Sequence, residues 1–335
     1  MITNFKKHVM VLSTGRTGTK YLYDFLRYQG LLCYHEELHG NIETSKYHEA
    51  SNLISNNWHK NIVGNDDICL NVVNDYIKNL SNIIDGKNLF QSFYSGSPRH
   101  STKKKLLFFK KYLKYPYALS NKIVIDCNNA NSALFNEIFE ACKSIGIKNY
   151  FIILFRNPIK TIHSIYKVES LSDFSDRPSE FKENQKGFIA AACIWKNYHN
   201  MFFDKLNDSS DKKYLLLDIE NLNKDHSAIL PLFNFLDVEI NENIWKKRYE
   251  QIYLKRKFRP DKGRGKIKSF VDGSPADIIN SDLYLDKSFY FTKEEVNQIL
   301  PIIHDTAKKM KIDLKKSSEE YFDFHINHKN KIGFK

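Results

Sequence analysis

The chain has 335 residues, of which 42% are hydrophobic, so it can form one large α/β domain or two modest ones with a sizeable core. No apolar run approaches the roughly 20 residues of a membrane-spanning helix, and the five widely spaced cysteines lack a Cys-x-x-Cys pair, which argues against a disulfide framework or a zinc site. The net charge of +12 favours an anionic partner. We therefore expect a cytoplasmic protein with no membrane partner.

The first predicted unit is a strand, a polar loop and a helix. Residues 9–12 form a short apolar run that ends at the glycine-spaced segment 13–20, and Leu22 and Leu26 then follow at helical spacing. Such a loop presents backbone N–H groups at the positive end of a helix dipole, and its glycines let a ligand approach the backbone closely. The unit therefore predicts an anion-binding site.

Two further apolar strands are predicted at residues 122–126 (KIVID) and 150–155 (YFIILF). A helix between them carries apolar residues on one face: Leu134, Ile138, Cys142 and Ile145. Fully apolar short strands that alternate with amphipathic helices are typical of a parallel sheet covered on both faces. The expected fold class is therefore a three-layer α/β fold with a central parallel sheet.

The next helix is predicted to begin at Asn157-Pro158, because proline suits a first helical turn, and it carries Ile159, Ile162 and Ile165 on one face. The polar segment 170–187 then lacks apolar periodicity and is predicted to be a lid.

Further elements are predicted along the rest of the chain. They are a long helix at 187–206, a strand at 214–218, a helix near 225–236 and a C-terminal helix that begins with a capping box at Thr292 and Glu295. We expect a largely helical insertion at about 40–120 and an irregular segment at about 255–288.

The loop does not match the nucleotide triphosphatase pattern G-x-x-x-x-G-K-[ST]. Gly15 and Gly18 are too close together, and Lys20 is followed by Tyr21, so the magnesium-binding hydroxyl is missing from its expected place. Asp126 and Asp218 end predicted strands and could imitate the carboxylate on the magnesium side, although this pattern is common in parallel sheets.

Two motifs together resemble the sulfotransferases that use 3′-phosphoadenosine 5′-phosphosulfate (PAPS). The segment STGRTGTKYL resembles their 5′-phosphosulfate loop, and FIILFRNPIKTIHSIYK resembles their 3′-phosphate motif, with Arg156 at a strand end and Ser164 eight positions later. The resemblance implies a P-loop-type fold, in-line sulfuryl transfer without a metal, and cofactor contacts from Gly15, Arg16, Thr17, Gly18, Thr19, Lys20, Arg156 and Ser164. Arg16 would also stabilise the leaving phosphate. Residues 9–37, 122–240 and 290–312 carry the resemblance, and the insertion lies outside it.

The catalytic base is sought in CYHEELHG, which follows the loop helix. It offers His35, Glu36 and Glu37, and the spacing from Arg16 in sulfotransferase branches with a glutamate base favours Glu37, with Glu36 second and His35 third. A loose resemblance of DKGRGKIK to the C-terminal cofactor loop assigns Arg264 and Gly265 to the cofactor. The family's Glu/Asp-Lys-Ser/Thr-Pro stretch is replaced at residues 126–129 by DCNN, so the lysine is absent.

The sequence thus predicts one sulfotransferase-like domain, residues 1–335, with the insertion and the lid forming the acceptor pocket. The acceptor would be the hydroxyl or amine of a small molecule or carbohydrate. The alternatives are a nucleotide kinase or triphosphatase with a degenerate loop, and a basic nucleic-acid-binding protein, although no nucleic-acid-binding motif is present.

Overall fold

The structure, a computed structural model, describes the sheet, most of its helices and parts of the loops. The described residues are 7–15, 17–19, 22–23, 26, 31–34, 74, 76–78, 80–81, 123–127, 132, 135–170, 174, 177, 179–207, 212–224, 230–238 and 290–331. Most of the predicted insertion and the predicted irregular segment 255–288 lie outside this part of the chain.

The described strands form a five-stranded sheet in the order β2-β3-β1-β4-β5, and every pairing is parallel. The strands are β1 (Lys7–Leu12), β2 (Leu32–Tyr34), β3 (Ile123–Asp126), β4 (Lys148–Phe155) and β5 (Lys213–Asp218). The predicted strands at 9–12, 122–126, 150–155 and 214–218 are confirmed to within a few residues.

The helices with defined bounds begin after β3 and continue to the C-terminal part of the chain. They are α1 (Phe135–Ser144), α2 (Pro158–Glu169), α3 (Ser179–Lys182), α4 (Gly187–Asn207), α5 (Asn221–Lys224), α6 (Leu230–Leu236), α7 (Lys293–Lys309) and α8 (Leu314–Lys331). Helical residues also follow the loop after β1, at Thr19, Leu22, Tyr23 and Leu26, and others occur within the insertion at residues 74, 76–78 and 80–81.

Alternate residues of β1 are buried on opposite faces of the sheet. Met10 and Leu12 belong to a core that includes residues of α1, α2, α4, α7 and α8, whereas Val9 and Val11 pack with Leu22, Leu26 and residues of α5 and α6. Both faces of the sheet are therefore covered, which confirms the three-layer α/β fold.

Two helix starts that the sequence predicts are fixed by caps. The side-chain oxygen of Asn157 accepts hydrogen bonds from the backbone N–H groups of Ile159 and Lys160, and Pro158 occupies the first turn of α2. At α7 the Thr292 hydroxyl accepts from Glu295 N at 3.2 Å, and the Glu295 carboxylate accepts from Thr292 N at 2.7 Å.

Two local features differ from the expectations, and a third concerns the predicted lid. Ile145 is predicted to face the core, but α1 ends at Ser144, Gly146 turns the chain at φ +76°, and Ile145 is 46% exposed. The segment 170–187, which stays a predicted lid, contains the short helix α3 and the buried residue Phe174. Helix α8 was not predicted, although its Leu314, Ser317 and Tyr321 lie at helical spacing.

Within the described residues, no helix has the length and hydropathy that a membrane span requires. Cys33, Cys127, Cys142 and Cys193 are buried free thiols.

Candidate functional site

The loop after β1 begins the helix that covers one face of the sheet. Gly15 and Gly18 adopt φ values of +76° and +99°, a region that strongly favours glycine. The Gly18 carbonyl accepts a hydrogen bond from Leu22 N at 3.0 Å, which starts the helix. The loop therefore lies at the positive end of this helix, as the sequence predicted.

The first residues of the loop are held by internal hydrogen bonds. Ser13 Oγ accepts from Gly15 N at 3.2 Å, while Ser132 Oγ accepts from Ser13 N at 3.1 Å and donates to Ser13 O at 3.0 Å. The Thr14 hydroxyl donates to Gly15 O at 3.0 Å. Because Ser13, Thr14 and Ser132 are all buried, these bonds give the loop a defined backbone before any ligand binds.

Thr17 differs from its neighbours in the loop. Its side chain is fully buried, yet its hydroxyl oxygen has no hydrogen-bond partner among the described residues. A buried hydroxyl without a partner costs free energy, and native structures retain such groups mainly where a ligand or a bound water completes the bond. The Thr17 hydroxyl therefore fits an anion bound at the loop.

Arg156 follows β4 at the same edge of the sheet as the loop. β1 and β4 are neighbours, and Leu12 pairs with Ile153, so Gly15 and Arg156 each lie three residues beyond this pair. Neighbouring strands are about 4.8 Å apart. The register therefore brings the loop and Arg156 together at the carboxyl edge of the sheet, which is where open α/β sheets bind ligands.

The first turn of α2 holds one edge of the Arg156 guanidinium. Its Nε donates to Thr161 Oγ1 at 3.3 Å, and its Nη2 donates to the Lys160 carbonyl at 3.1 Å. Ser164 lies two helical turns beyond Arg156 and is partly buried. Arg156 and Ser164 thus both belong to the segment that leaves the sheet next to the loop.

An ion pair joins α2 to the turn after β5. Lys160 Nζ lies 3.2 Å from a carboxylate oxygen of Glu220, and both side chains are largely buried. Asp218 Oδ1 accepts a hydrogen bond from Glu220 N at 2.9 Å, so the Asp218 carboxylate stabilises the same turn. This hydrogen bond gives Asp218 a structural role at the position that the sequence compared with a magnesium carboxylate.

Asp126 lies in the core rather than at the open edge. It pairs with Met10, two residues before the end of β1, and its side chain is fully buried. The Tyr76 hydroxyl donates to Asp126 Oδ2 at 2.9 Å and bonds with His8 Nε2 at 2.8 Å. Burial and the charge of Asp126 raise the pKa of Tyr76 well above its ordinary value. This network was not predicted, because Tyr76 is 50 positions from Asp126 and no sequence pattern connects them.

Several predicted site residues lie outside the described part of the chain. They are Arg16, Lys20, His35, Glu36, Glu37, Arg264 and Gly265. The three base candidates directly follow β2, which ends at Tyr34. Because β3 separates β2 from β1, the end of β2 is about 10 Å from the loop, on the side opposite β4.

The comparison with known families decides the identity of the fold. A model described as the sulfotransferase domain matches residues 6–312. The chain belongs to the sulfotransferase family. The match includes every described element from β1 to α7, so the loop, Arg156 and Ser164 all lie within the sulfotransferase domain.

Among solved structures, the chain is similar to the crystal structure of sulfotransferase STF9 from Mycobacterium avium. The two chains are 12% identical, and the similarity covers 92% of this chain and 78% of that chain with a TM-score of 0.44. No curated protein matches the chain significantly. Within the described residues of the chain, no group of three or more His, Cys, Asp or Glu side chains could hold a metal ion.

Proposed function

We propose that the protein transfers a sulfuryl group from PAPS to a hydroxyl or amine of a small-molecule or carbohydrate acceptor. The observation that carries the proposal is the buried, unpartnered Thr17 hydroxyl in a glycine loop at the same sheet edge as Arg156. PAPS carries a phosphosulfate on one side of its ribose and a phosphate on the other, so two neighbouring anion sites suit it. The family match supports the reaction class.

The loop would bind the 5′-phosphosulfate. Thr17 would donate its hydroxyl proton, and backbone N–H groups at the start of the helix would donate beside it, together with Thr19 and the cations Arg16 and Lys20. These donors would stabilise the negative charge that grows on the bridging phosphate oxygen as the bond from this oxygen to sulfur breaks. Because Ser13, Thr14 and Ser132 already hold the loop, little reorganisation is needed at that moment.

The segment after β4 would bind the 3′-phosphate. Arg156 offers a planar set of N–H donors that matches phosphate oxygens, and Ser164 offers a hydroxyl from the same helix. Arg264 and Gly265 would complete the cofactor site from the C-terminal part of the chain.

The acceptor would bind on the side of β2. Glu37 would take the proton from the acceptor as its oxygen or nitrogen attacks sulfur, and Glu36 and His35 are the alternatives. The strand order β2-β3-β1-β4 supports this arrangement, since the end of β2, which the base candidates follow in the sequence, and Arg156 lie on opposite sides of the loop. The insertion and residues 170–187 would form the acceptor pocket of this single domain, which would act in the cytoplasm without a metal.

The decisive experiment is a thermal-shift titration with 3′-phosphoadenosine 5′-phosphate (PAP), beside ATP with magnesium. A ligand at about 100 times its Kd stabilises a fold by about 2.7 kcal/mol, so we expect PAP to raise the Tm clearly. Arg156→Ala should abolish the shift. Arg177→Ala is the matched control, because Arg177 packs on the Tyr198 ring instead, with its guanidinium carbon 5.2 Å from the ring centroid.

Other outcomes would overturn the proposal. A larger shift with ATP and magnesium would favour a nucleotide kinase or triphosphatase. No shift with either nucleotide, together with tight and salt-dependent binding of DNA or RNA, would favour a nucleic-acid-binding protein. If PAP binds, release of PAP from PAPS across a panel of hydroxyl and amine acceptors identifies the acceptor class.

A further inference from the structure

Thr161 occupies the first turns of α2 and is fully buried. Its hydroxyl oxygen accepts a hydrogen bond from Arg156 Nε at 3.3 Å and donates its own proton to the Asn157 carbonyl at 3.1 Å. A hydroxyl has one proton, and this proton is used on Asn157. The oxygen therefore faces Arg156 as an acceptor, the role that an arginine N–H requires.

Asn157 fixes the other end of this chain of hydrogen bonds. Its side-chain oxygen caps α2, and its Nδ2 donates to the Ser317 carbonyl on α8 at 2.7 Å. The backbone N–H of Thr161 also donates to the Asn157 carbonyl, at 3.0 Å. Thr161 is thus bonded to Asn157, which α8 holds in turn, and the Thr161 hydroxyl cannot rotate away from Arg156 without losing its hydrogen bond to the Asn157 carbonyl.

The two contacts from α2 lie on one edge of the guanidinium. Nε–H and one N–H of Nη2 form this edge, and they meet Thr161 Oγ1 and the Lys160 carbonyl. These two hydrogen bonds fix the plane of the guanidinium and, with it, the directions in which its N–H groups would donate to a phosphate. Holding the plane in advance reduces the rotamer entropy that binding would cost.

We propose that Thr161 is a positioning residue that orients Arg156 toward the 3′-phosphate of the donor nucleotide. This inference rests on the proposed function. Thr161 contacts no nucleotide itself in this scheme, and its effect passes through the Nε hydrogen bond of Arg156. Its loss should therefore weaken recognition of the 3′-phosphate while leaving the rest of the nucleotide site unchanged.

The test compares PAP with adenosine 5′-phosphate, which lacks the 3′-phosphate. Thr161→Val keeps the shape and removes the oxygen, and we expect it to reduce PAP affinity about tenfold with adenosine 5′-phosphate affinity unchanged, because charge-assisted hydrogen bonds are strong. Thr161→Ser keeps the oxygen and should bind PAP as the wild type does. In an Arg156→Lys background, Thr161→Val should have no further effect, because lysine has no Nε–H donor.

The outcomes separate this inference from the proposed function. If the wild type does not bind PAP, both fail. If the wild type binds PAP and Thr161→Val binds it equally well, or loses both nucleotides equally, only the role of Thr161 is overturned. The Tm of each variant is measured in parallel. If Thr161→Val does not fold, Thr161→Ala takes its place, because it removes the same oxygen with a smaller side chain. The alanine variant should likewise bind PAP more weakly and bind adenosine 5′-phosphate as the wild type does.

Discussion

His8 Nε2 lies 2.8 Å from the hydroxyl oxygen of Tyr76, although the two residues are 68 positions apart. The same hydroxyl donates to Asp126, and His8 Nδ1 lies 2.8 Å from the Asn149 side-chain oxygen. One buried chain of hydrogen bonds thus joins β1, β3 and β4 to a residue of the insertion. Tyr76 attaches that insertion to the sheet.

Removing the Tyr76 hydroxyl should destabilise the fold. Tyr76→Phe leaves His8 and Asp126 without this buried partner, and we expect the free energy of unfolding to fall by about 1–3 kcal/mol. Urea denaturation measures the change. Tyr214→Phe is the matched control, because Tyr214 is 38% exposed, and it should have little effect. Equal stability of the two variants would contradict the role given to this network.

The substitution of valine for each of two buried threonines in the loop should affect the stability of the ligand-free protein differently. Thr14→Val removes the hydrogen bond to Gly15 O and should cost about 1 kcal/mol of stability. Thr17→Val removes a hydroxyl without a partner, so the ligand-free protein should be as stable as the wild type or more stable. Thermal melts of the two ligand-free variants decide this.

Thr17→Val should also change the affinity of the protein for nucleotides. Because Thr17 would contact the 5′-phosphate that PAP and adenosine 5′-phosphate share, Thr17→Val should weaken both about equally, by about tenfold. Calorimetric titration measures the two affinities. A variant that binds both nucleotides as the wild type does would remove Thr17 from the site.

The identity of the base can be tested by separating binding from transfer. Glu37→Gln should bind PAP normally and lose sulfuryl transfer by at least about 100-fold, because an amide cannot accept the proton. Glu36→Gln and His35→Gln are the comparison variants, and each should retain most of the transfer rate. If one of these two loses transfer while Glu37→Gln stays active, the base assignment passes to that residue.

His199 should make the fold sensitive to mild acid. Burial lowers its pKa from 6.5 to about 4, and its Nδ1 lies 2.8 Å from the Trp195 carbonyl. Between these two pKa values the unfolded chain binds a proton that the folded protein excludes. Stability is therefore retained above pH 6.5 and falls as the pH drops toward 4, by at most about 3 kcal/mol.

A pair of glutamine variants isolates this effect. The difference in unfolding free energy between wild type and His199→Gln should change between pH 7.5 and pH 5, with the wild type losing more. His304→Gln is the control, because the His304 side chain is 64% exposed in the folded protein. Parallel pH profiles for wild type and His199→Gln would show that His199 does not contribute.

The cap of α7 offers a purely local test. Thr292→Ala removes the hydroxyl that accepts from Glu295 N, and we expect a loss of about 1 kcal/mol. Ser318→Ala is a suitable control, since the Ser318 hydroxyl only donates to a carbonyl within α8 and starts no helix. Urea denaturation of both variants measures the difference.

Many elements of the fold could be predicted from the sequence, because they depend on interactions between neighbouring residues. The apolar strands, the Asn157-Pro158 helix start and the Thr292 capping box each depend on residues a few positions apart, and all three are confirmed. Ile145 shows the limit of periodicity, because a glycine turn after Ser144 ends the helix that the spacing would continue. The order of the strands could not be read in this way, since β2 pairs with a strand about 90 positions away.

The candidate site likewise has features that the sequence predicts and features that depend on the packing of distant segments. The sequence by itself indicated the family of the chain and the two motifs to which we assign anion binding, because each motif is a short stretch with fixed spacing. Only the tertiary structure decided that Thr17 is buried without a hydrogen-bond partner in the described part of the chain, that Thr161 accepts a hydrogen bond from Arg156, and that Tyr76 bonds to His8 and Asp126. Burial and hydrogen-bond geometry depend on which distant segments pack together, and no local pattern encodes that.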